Sequence, residues 1–165
     1  LGQLRTAGGR DARVLQAKLQ KFDKAYGAAI ELASSKRADG AIKLLLQARG
    51  LESKIAAGRS VYASQISQRL ADMYYVRGMD QLYSSQLPEA YQSFREALKS
   101  FSGHDKAERR IADLEQKAEQ IVAEGESLRN RDAAAAKDRF RTAMQMVAPG
   151  RPIYARAKQQ LDALR

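Results

Sequence analysis

The sequence predicts an all-α fold of three helical hairpins stacked in a row and closed by a final helix, seven helices in all. Three observations predict it: an alphabet of helix formers, an Ala–large–Ala pattern that recurs three times, and breakers that cut the chain into alternating long and short segments.

The alphabet comes first. Ala, Leu and Ile dominate the apolar residues, Gln, Glu, Lys and Arg fill most of the rest, and Trp is absent. Such residues lose little rotamer freedom in a helix. Only Pro88, Pro149 and Pro152 interrupt it. A length of 165 residues suits one domain or a short repeat array. There is no Cys, which excludes disulfides and thiolate sites and leaves the compartment open. The single histidine, His104, cannot hold a metal alone. No apolar run of about 18 residues is present, so no segment is expected to span a membrane. No signal peptide is visible, and the chain begins at Leu1 rather than Met, so a piece of a longer polypeptide is expected. A cytoplasmic setting is preferred, with a periplasmic one left open.

The repeat carries the architecture. Ala41-Leu45-Ala48, Ala90-Phe94-Ala97 and Ala136-Phe140-Ala143 follow one another at intervals of 49 and 46 residues. Positions i, i+4 and i+7 share one helix face. Small Ala admits a neighbouring helix, and the large residue fills the space between. A glycine precedes each copy, at Gly27, Gly78 and Gly125. Glycine costs a helix interior about 1 kcal/mol, so close packing is the expected compensation. One hairpin cannot bury its own face, and three stacked hairpins can.

Caps and breakers set the boundaries. Asp39 and Asp132 are expected as N-caps, Pro88 and Pro152 suit first turns, and Pro149-Gly150 stops a helix. Helices are expected at about 10–37, 39–53, 59–85, 87–101, 104–131, 133–147 and 151–164. Residues 1–9 are expected as a flexible segment before a single domain at 10–165. Its units are about 10–53, 59–101 and 104–147, with a closing helix at 151–164. In the fifth helix Ala107, Ile111, Leu114, Ala118, Ile121, Gly125 and Leu128 step by 4 and 3, a coiled-coil-like seam. Leu15, Leu19, Phe22, Tyr26, Ala29 and Ala33 form a looser seam in the first helix.

These hairpins resemble tetratricopeptide repeats. Tyr74, Gly78, Ala90, Phe94 and Ala97 stand at the family's spacing, and Ile121, Gly125, Leu128, Ala136, Phe140 and Ala143 match after the turn is shortened by one residue. The first unit keeps Gly27, Ile30, Ala41, Leu45 and Ala48. The intervals exceed the family's roughly 34 residues, and Arg77, Glu124 and Gln81 depart from its pattern. The resemblance covers about 25–164. It implies a right-handed α-solenoid with elongated first helices, and a groove lined by first helices that binds a partner protein.

Nothing points to catalysis or a cofactor. Gly8-Gly9 lacks the strand and Lys-Ser/Thr context of a phosphate loop. His104 reads as a solvated residue at a helix start. Glu115, Glu119 and Glu126 read as a solvated helix face. The partner-binding candidates are Tyr75, Met79 and Tyr83, a stripe continued by Asp72, with Arg129 and Asn130 as matching positions in the next unit. Packing against a neighbouring helix is the plainer account of that stripe. A basic stripe of Arg10, Arg13, Lys21 and Lys24 could dock an acidic partner, although a solvated face explains it as well. Charge is uneven along the chain: residues 1–60 hold 12 Lys+Arg against 5 Asp+Glu, residues 61–115 hold 7 against 8, and residues 116–165 hold 10 against 6.

The expected function is therefore a non-catalytic interaction module or scaffold that docks a protein segment, peptide or helix, on a first-helix groove. Two alternatives stand beside it. One is binding of nucleic acid or an anionic membrane through the basic surface, with nucleic acid the poorer fit because no aromatic sits among the cations. The other is self-association through the ends of the array, as a structural spacer.

Overall fold

The computed structural model describes the backbone of residues 2–164 and the side chains of residues 11–164. Among them are seven α-helices and no strand: α1 (Gly2–Ser34), α2 (Ala38–Ala56), α3 (Val61–Tyr83), α4 (Leu87–Ser100), α5 (Asp105–Leu128), α6 (Ala133–Met146) and α7 (Pro152–Asp162). The protein is thus all-α, with the expected number and order of helices. Long and short alternate through the three pairs, at 33 and 19, 23 and 14, then 24 and 14 residues.

The ends of the elements follow local chemistry. Asp132 caps α6, its side chain accepting from the Ala135 N–H at 2.9 Å. His104 caps α5 in the same way: its Nδ1 accepts from the Ala107 N–H at 3.1 Å. His104 is therefore a half-buried cap rather than a solvated turn residue. Pro152 opens α7. Asp39 is not an N-cap, because α2 begins one residue earlier and Arg37 takes the cap position without a side-chain bond. Asp39 sits instead in the first turn, where a carboxylate still suits the helix dipole. Helical backbone also begins well before position 10, so α1 takes in most of the segment expected to be flexible; Leu1 lies outside the described residues.

The turn after α1 and the turn after α3 are copies of each other. Lys36 has φ +55° and Ser85, 49 residues later, has φ +59°. The next N–H closes back in both: Arg37 to the Leu32 carbonyl at 2.9 Å and Gln86 to the Gln81 carbonyl at 2.9 Å. That is a left-handed helix stop with its six-to-one hydrogen bond. The turn after α5 is tighter, with Asp132 N–H bonded to the Leu128 carbonyl at 2.8 Å and no left-handed residue. The expected one-residue shortening is this change of turn type.

The chain divides into two compact units, Leu1–Arg77 with Lys99–Ser102, and Gly78–Leu98 with Gly103–Arg165. In the first, α1 and α2 pack as a hairpin. Ala41, Leu45 and Ala48 of α2 are fully buried, as is Ala29 of α1. Gly40 closes the hairpin near its turn, since a Cβ there would lie 2.8 Å from the Leu32 Cδ1. In the second unit α5 and α6 form a hairpin, and α7 packs on both. Ala90, Phe94 and Ala97 are fully buried there, as are Ala136, Phe140 and Ala143. Gly78 and Gly125 do one job twice: a Cβ would come within 2.6 Å of Phe94 Cε1 at the first and 2.7 Å of Phe140 Cε1 at the second. Gly27 does not share it. Nothing lies within 4 Å of a Cβ built there. Ala29, which precedes Leu45 by the 16 residues that separate Gly78 from Phe94, stands in the equivalent place.

The bend between α2 and α3 is held by a buried carboxylate. Glu52 is 4% exposed and accepts from the Ser60 hydroxyl at 2.7 Å and the Ser60 N–H at 3.2 Å. Ala57 and Gly58, both at positive φ, end α2 just before it. Gly50 lies within α2 and does not break it.

Candidate functional site

The expected stripe on α3 falls on a graded surface. Asp72 is exposed, Tyr75 and Met79 are half-buried, and Tyr83, the last residue of the helix, is 80% exposed. The line rotated from it, Tyr74 and Gly78, turns inward. Tyr74 is 9% exposed and carries the Arg77 guanidinium 4.9 Å from its ring centroid. That contact is a cation–π pair, and Arg77 also reaches Asp39 of α2 at 3.6 Å. Asp72 and Tyr75 belong to the first unit, and Met79, Tyr83, Arg129 and Asn130 to the second. Arg129 and Asn130 are exposed and lie past the end of α5, in its turn, so they do not continue a helix face as Tyr83 does. Arg129 Nη1 stands 3.4 Å from the Gln160 Oε1 of α7.

The basic stripe stands partly in view. Arg13, Lys21 and Lys24 are exposed along α1, while the side chain of Arg10 lies outside the described residues. The seam beside it behaves in two ways. Phe22, Ala25 and Ala29 are buried, but Leu15 and Leu19 are 46% and 43% exposed. Helix length explains the exposure of Leu15, at the edge of the overhang. At about 1.5 Å per residue, α1 outruns α2 by roughly 20 Å. An aromatic cluster missed at sequence level marks where cover begins. Phe22 stacks on Tyr26 with centroids 5.6 Å apart, and Tyr62 at the start of α3 meets both edge-on at 5.3 and 5.5 Å. Tyr26 also donates to the Gln65 Oε1 at 3.1 Å. Tyr62 is 36 residues from Tyr26, and no periodicity joins positions on two helices.

Glu115, Glu119 and Glu126 of α5 are held by arginines rather than left as a free solvated face. Glu115 accepts from the Tyr91 hydroxyl at 2.8 Å and from Arg151 Nη2 at 2.6 Å, which ties α4, α5 and the approach to α7 together. Burial first, and then the bond to Glu115, push the Tyr91 phenol up to about 12. Arg156 of α7 holds Glu126 through two nitrogens at 2.6 and 2.9 Å and Glu119 through a third at 3.0 Å. Those bonds, Glu126 foremost, raise Arg156 above the usual arginine value, as Glu115 does for Arg151. Tyr91, Arg151 and Arg156 are thus perturbed by packing contacts and need no chemistry to explain them.

Among the described residues no group of three or more His, Asp or Glu side chains could hold a metal ion, and no helix is long and apolar enough to cross a membrane. A shallow cleft of about 270 Å³ between α6 and α7 is lined by Arg141, Met144, Gln145 and Tyr154. It is open to solvent, and Arg141 is already paired with Asp138 at 2.9 Å.

No protein-family model matches the chain. Comparison with curated proteins and with solved structures likewise gives no match. The exposed large apolar side chains among the described residues concentrate on first helices: Val14, Leu15 and Leu19 on α1, and Val61, Tyr62 and Tyr83 on α3, with Leu46 and Phe101 elsewhere. Phe101 and Val147 stand at matching sequence places and differ, at 39% and 5% exposure.

Proposed function

We propose that the protein is a non-catalytic docking module of tetratricopeptide-like construction, and that it holds a partner protein on its first helices. The observation that carries the reading is the placement of exposed apolar side chains on α1 and α3, with α2 and α6 turning their Ala–large–Ala faces to the core. In the α3 stripe Tyr83 is exposed and Tyr75 half-buried; such aromatics suit an interface, because they supply large rigid contact area at small entropic cost. The likeness of construction is supported by the paired Gly78–Phe94 and Gly125–Phe140 approaches. The candidate contact residues on α3 are Asp72 and Tyr75 in the first unit and, separately, Met79 and Tyr83 in the second, where Arg129 and Asn130 offer polar contacts.

The test is capture with the full chain. Proteins retained by the wild type are identified by mass spectrometry and compared with those retained by a Tyr75→Ala/Tyr83→Ala double variant. Loss of a specific partner at unchanged helix content is the expected result. Retention of every partner by the double variant refutes the stripe. A second reading, binding to an anionic surface, draws on the exposed Arg13, Lys21 and Lys24. Salt separates the two. Binding to nucleic acid should fall by at least about tenfold between low and moderate salt, whereas a partner seated on Tyr75 and Tyr83 should stay bound.

A further inference from the structure

The upper part of α1 carries an exposed helix face. Tyr62 and Gln65 meet Phe22 and Tyr26, so α3 begins alongside residue 22 of α1. From position 11 to position 21 every residue is exposed except Lys18, which is half-buried. Val14, Leu15 and Leu19 stand 55%, 46% and 43% exposed in that stretch. Leu15 and Leu19 keep the 4-and-3 spacing of Phe22, Tyr26 and Ala29, which the protein covers with its own helices. A seam that takes helices along its lower part is shaped to take a helix along its upper part.

Charge decides what kind. Lys18 and Lys21 lie on the Val14 side of the seam by helical geometry, and among the described residues neither is held in an ion pair. Asp11, seven residues before Lys18, shares that side at its upper end, and Asp23 stands on the other, so Lys18 and Lys21 leave the lower part of the flank cationic. The surrounding sixty residues carry 12 Lys+Arg against 5 Asp+Glu. A second copy would bring the same cations to the contact and be repelled. A lipid surface fits poorly, because Asp23 flanks the apolar strip and Gln16 and Gln20 stand on the same side.

We infer that residues 11–24 of α1 dock an amphipathic helix of another protein, acidic along the flank that faces Lys18 and Lys21. Val14, Leu15 and Leu19 form the seat, and Tyr62 and Val61 its lower end. The inference rests on the proposed docking function and deepens it, but it uses residues other than the α3 stripe, so the two surfaces can fail separately.

The probe is a labelled synthetic helix about three heptads long, with Leu along its seam and Glu along one flank, titrated against the full chain by fluorescence anisotropy. The expected result is binding that weakens at least about tenfold in Leu15→Gln/Leu19→Gln and in Lys18→Glu/Lys21→Glu. A scrambled peptide of identical composition should bind at least about tenfold more weakly. The variants replace exposed or half-buried side chains, and circular dichroism checks that their helix content is unchanged. Tyr75→Ala/Tyr83→Ala should leave the peptide bound, which separates this surface from the α3 stripe. Equal binding of the scrambled peptide, or unchanged binding by both α1 variants, overturns the inference. So does a dimer in light scattering that Leu15→Gln/Leu19→Gln dissolves, since the occupant is then a second copy. Sedimentation with vesicles of equal parts phosphatidylcholine and phosphatidylserine, lost in the same variant, overturns it in favour of a membrane.

Discussion

At the scale of single residues, the three glycines that look alike in sequence behave differently. Gly78 and Gly125 face the rings of Phe94 and Phe140 at distances no Cβ could share. Both rings are fully buried, so neither can swing aside without disturbing its hairpin. Gly78→Ala and Gly125→Ala should each lower stability by about 1–3 kcal/mol, the usual cost of overpacking. Gly27 is exposed on α1 with open space around it, so Gly27→Ala should gain up to about 1 kcal/mol of helix propensity. Urea unfolding of the three variants checks the sign, and a loss of stability at Gly27 would contradict this account. The sequence pattern found the Ala–large–Ala triplets because burial repeats with the helical period. It misplaced the first glycine because Ala29, fully buried 16 residues before Leu45, takes the small-residue place and Gly27 does not. The N-cap was misplaced by two positions, Asp39 for Arg37, at a turn whose left-handed Lys36 has no mark in the sequence. Tyr83 was legible as a stripe member, but its 80% exposure depended on where α3 ends, which spacing does not encode.

At the scale of elements, a shared carboxylate joins several segments of the second unit. Glu115 lies on α5, yet Tyr91 of α4 and Arg151, which precedes α7, both close on it. The sequence makes Glu115, Glu119 and Glu126 look like a solvated face, because their partners arrive from segments 24 to 37 residues away. A pH dependence follows from Tyr91. Its phenol sits at about 12 in the folded protein, above its ordinary 10.0. The folded state therefore holds its proton where the unfolded chain has begun to release it. Stability from this group is complete below pH 10 and is lost as pH rises from 10 toward 12. Tyr91→Phe removes a hydrogen bond to a charged partner and should cost about 1–2 kcal/mol at neutral pH. The gap between wild type and variant should narrow as pH climbs through that window. Denaturant midpoints at pH 8 and pH 11 test this, and a gap that stays constant or widens would rule it out.

At the scale of the whole chain, charge is distributed so that salt should act in opposite directions on different parts. Residues 1–60 carry 12 cations against 5 anions. One of those anions, Glu52, is buried on Ser60, and another, Asp39, meets Arg77 at a loose 3.6 Å. Repulsion among exposed cations is the larger effect there, and salt screens it. The second unit is the reverse. Glu115, Glu119, Glu124 and Glu126 are matched by Arg151, Arg139 and a bidentate Arg156. Glu115 is mostly covered, but the Arg139 and Arg156 pairs are largely exposed, so each of those contributes no more than about 1 kcal/mol and is weakened by salt. Raising ionic strength from about 0.01 M to 1 M shortens the screening length roughly tenfold. Amide hydrogen exchange should then slow in α2 and quicken in α7, each by a factor of about two to five. Arg156→Ala should quicken exchange in α7 at low salt and remove most of its salt response. A common direction of change in α2 and α7 would mean that bulk effects of salt on burial outweigh the placement of charge.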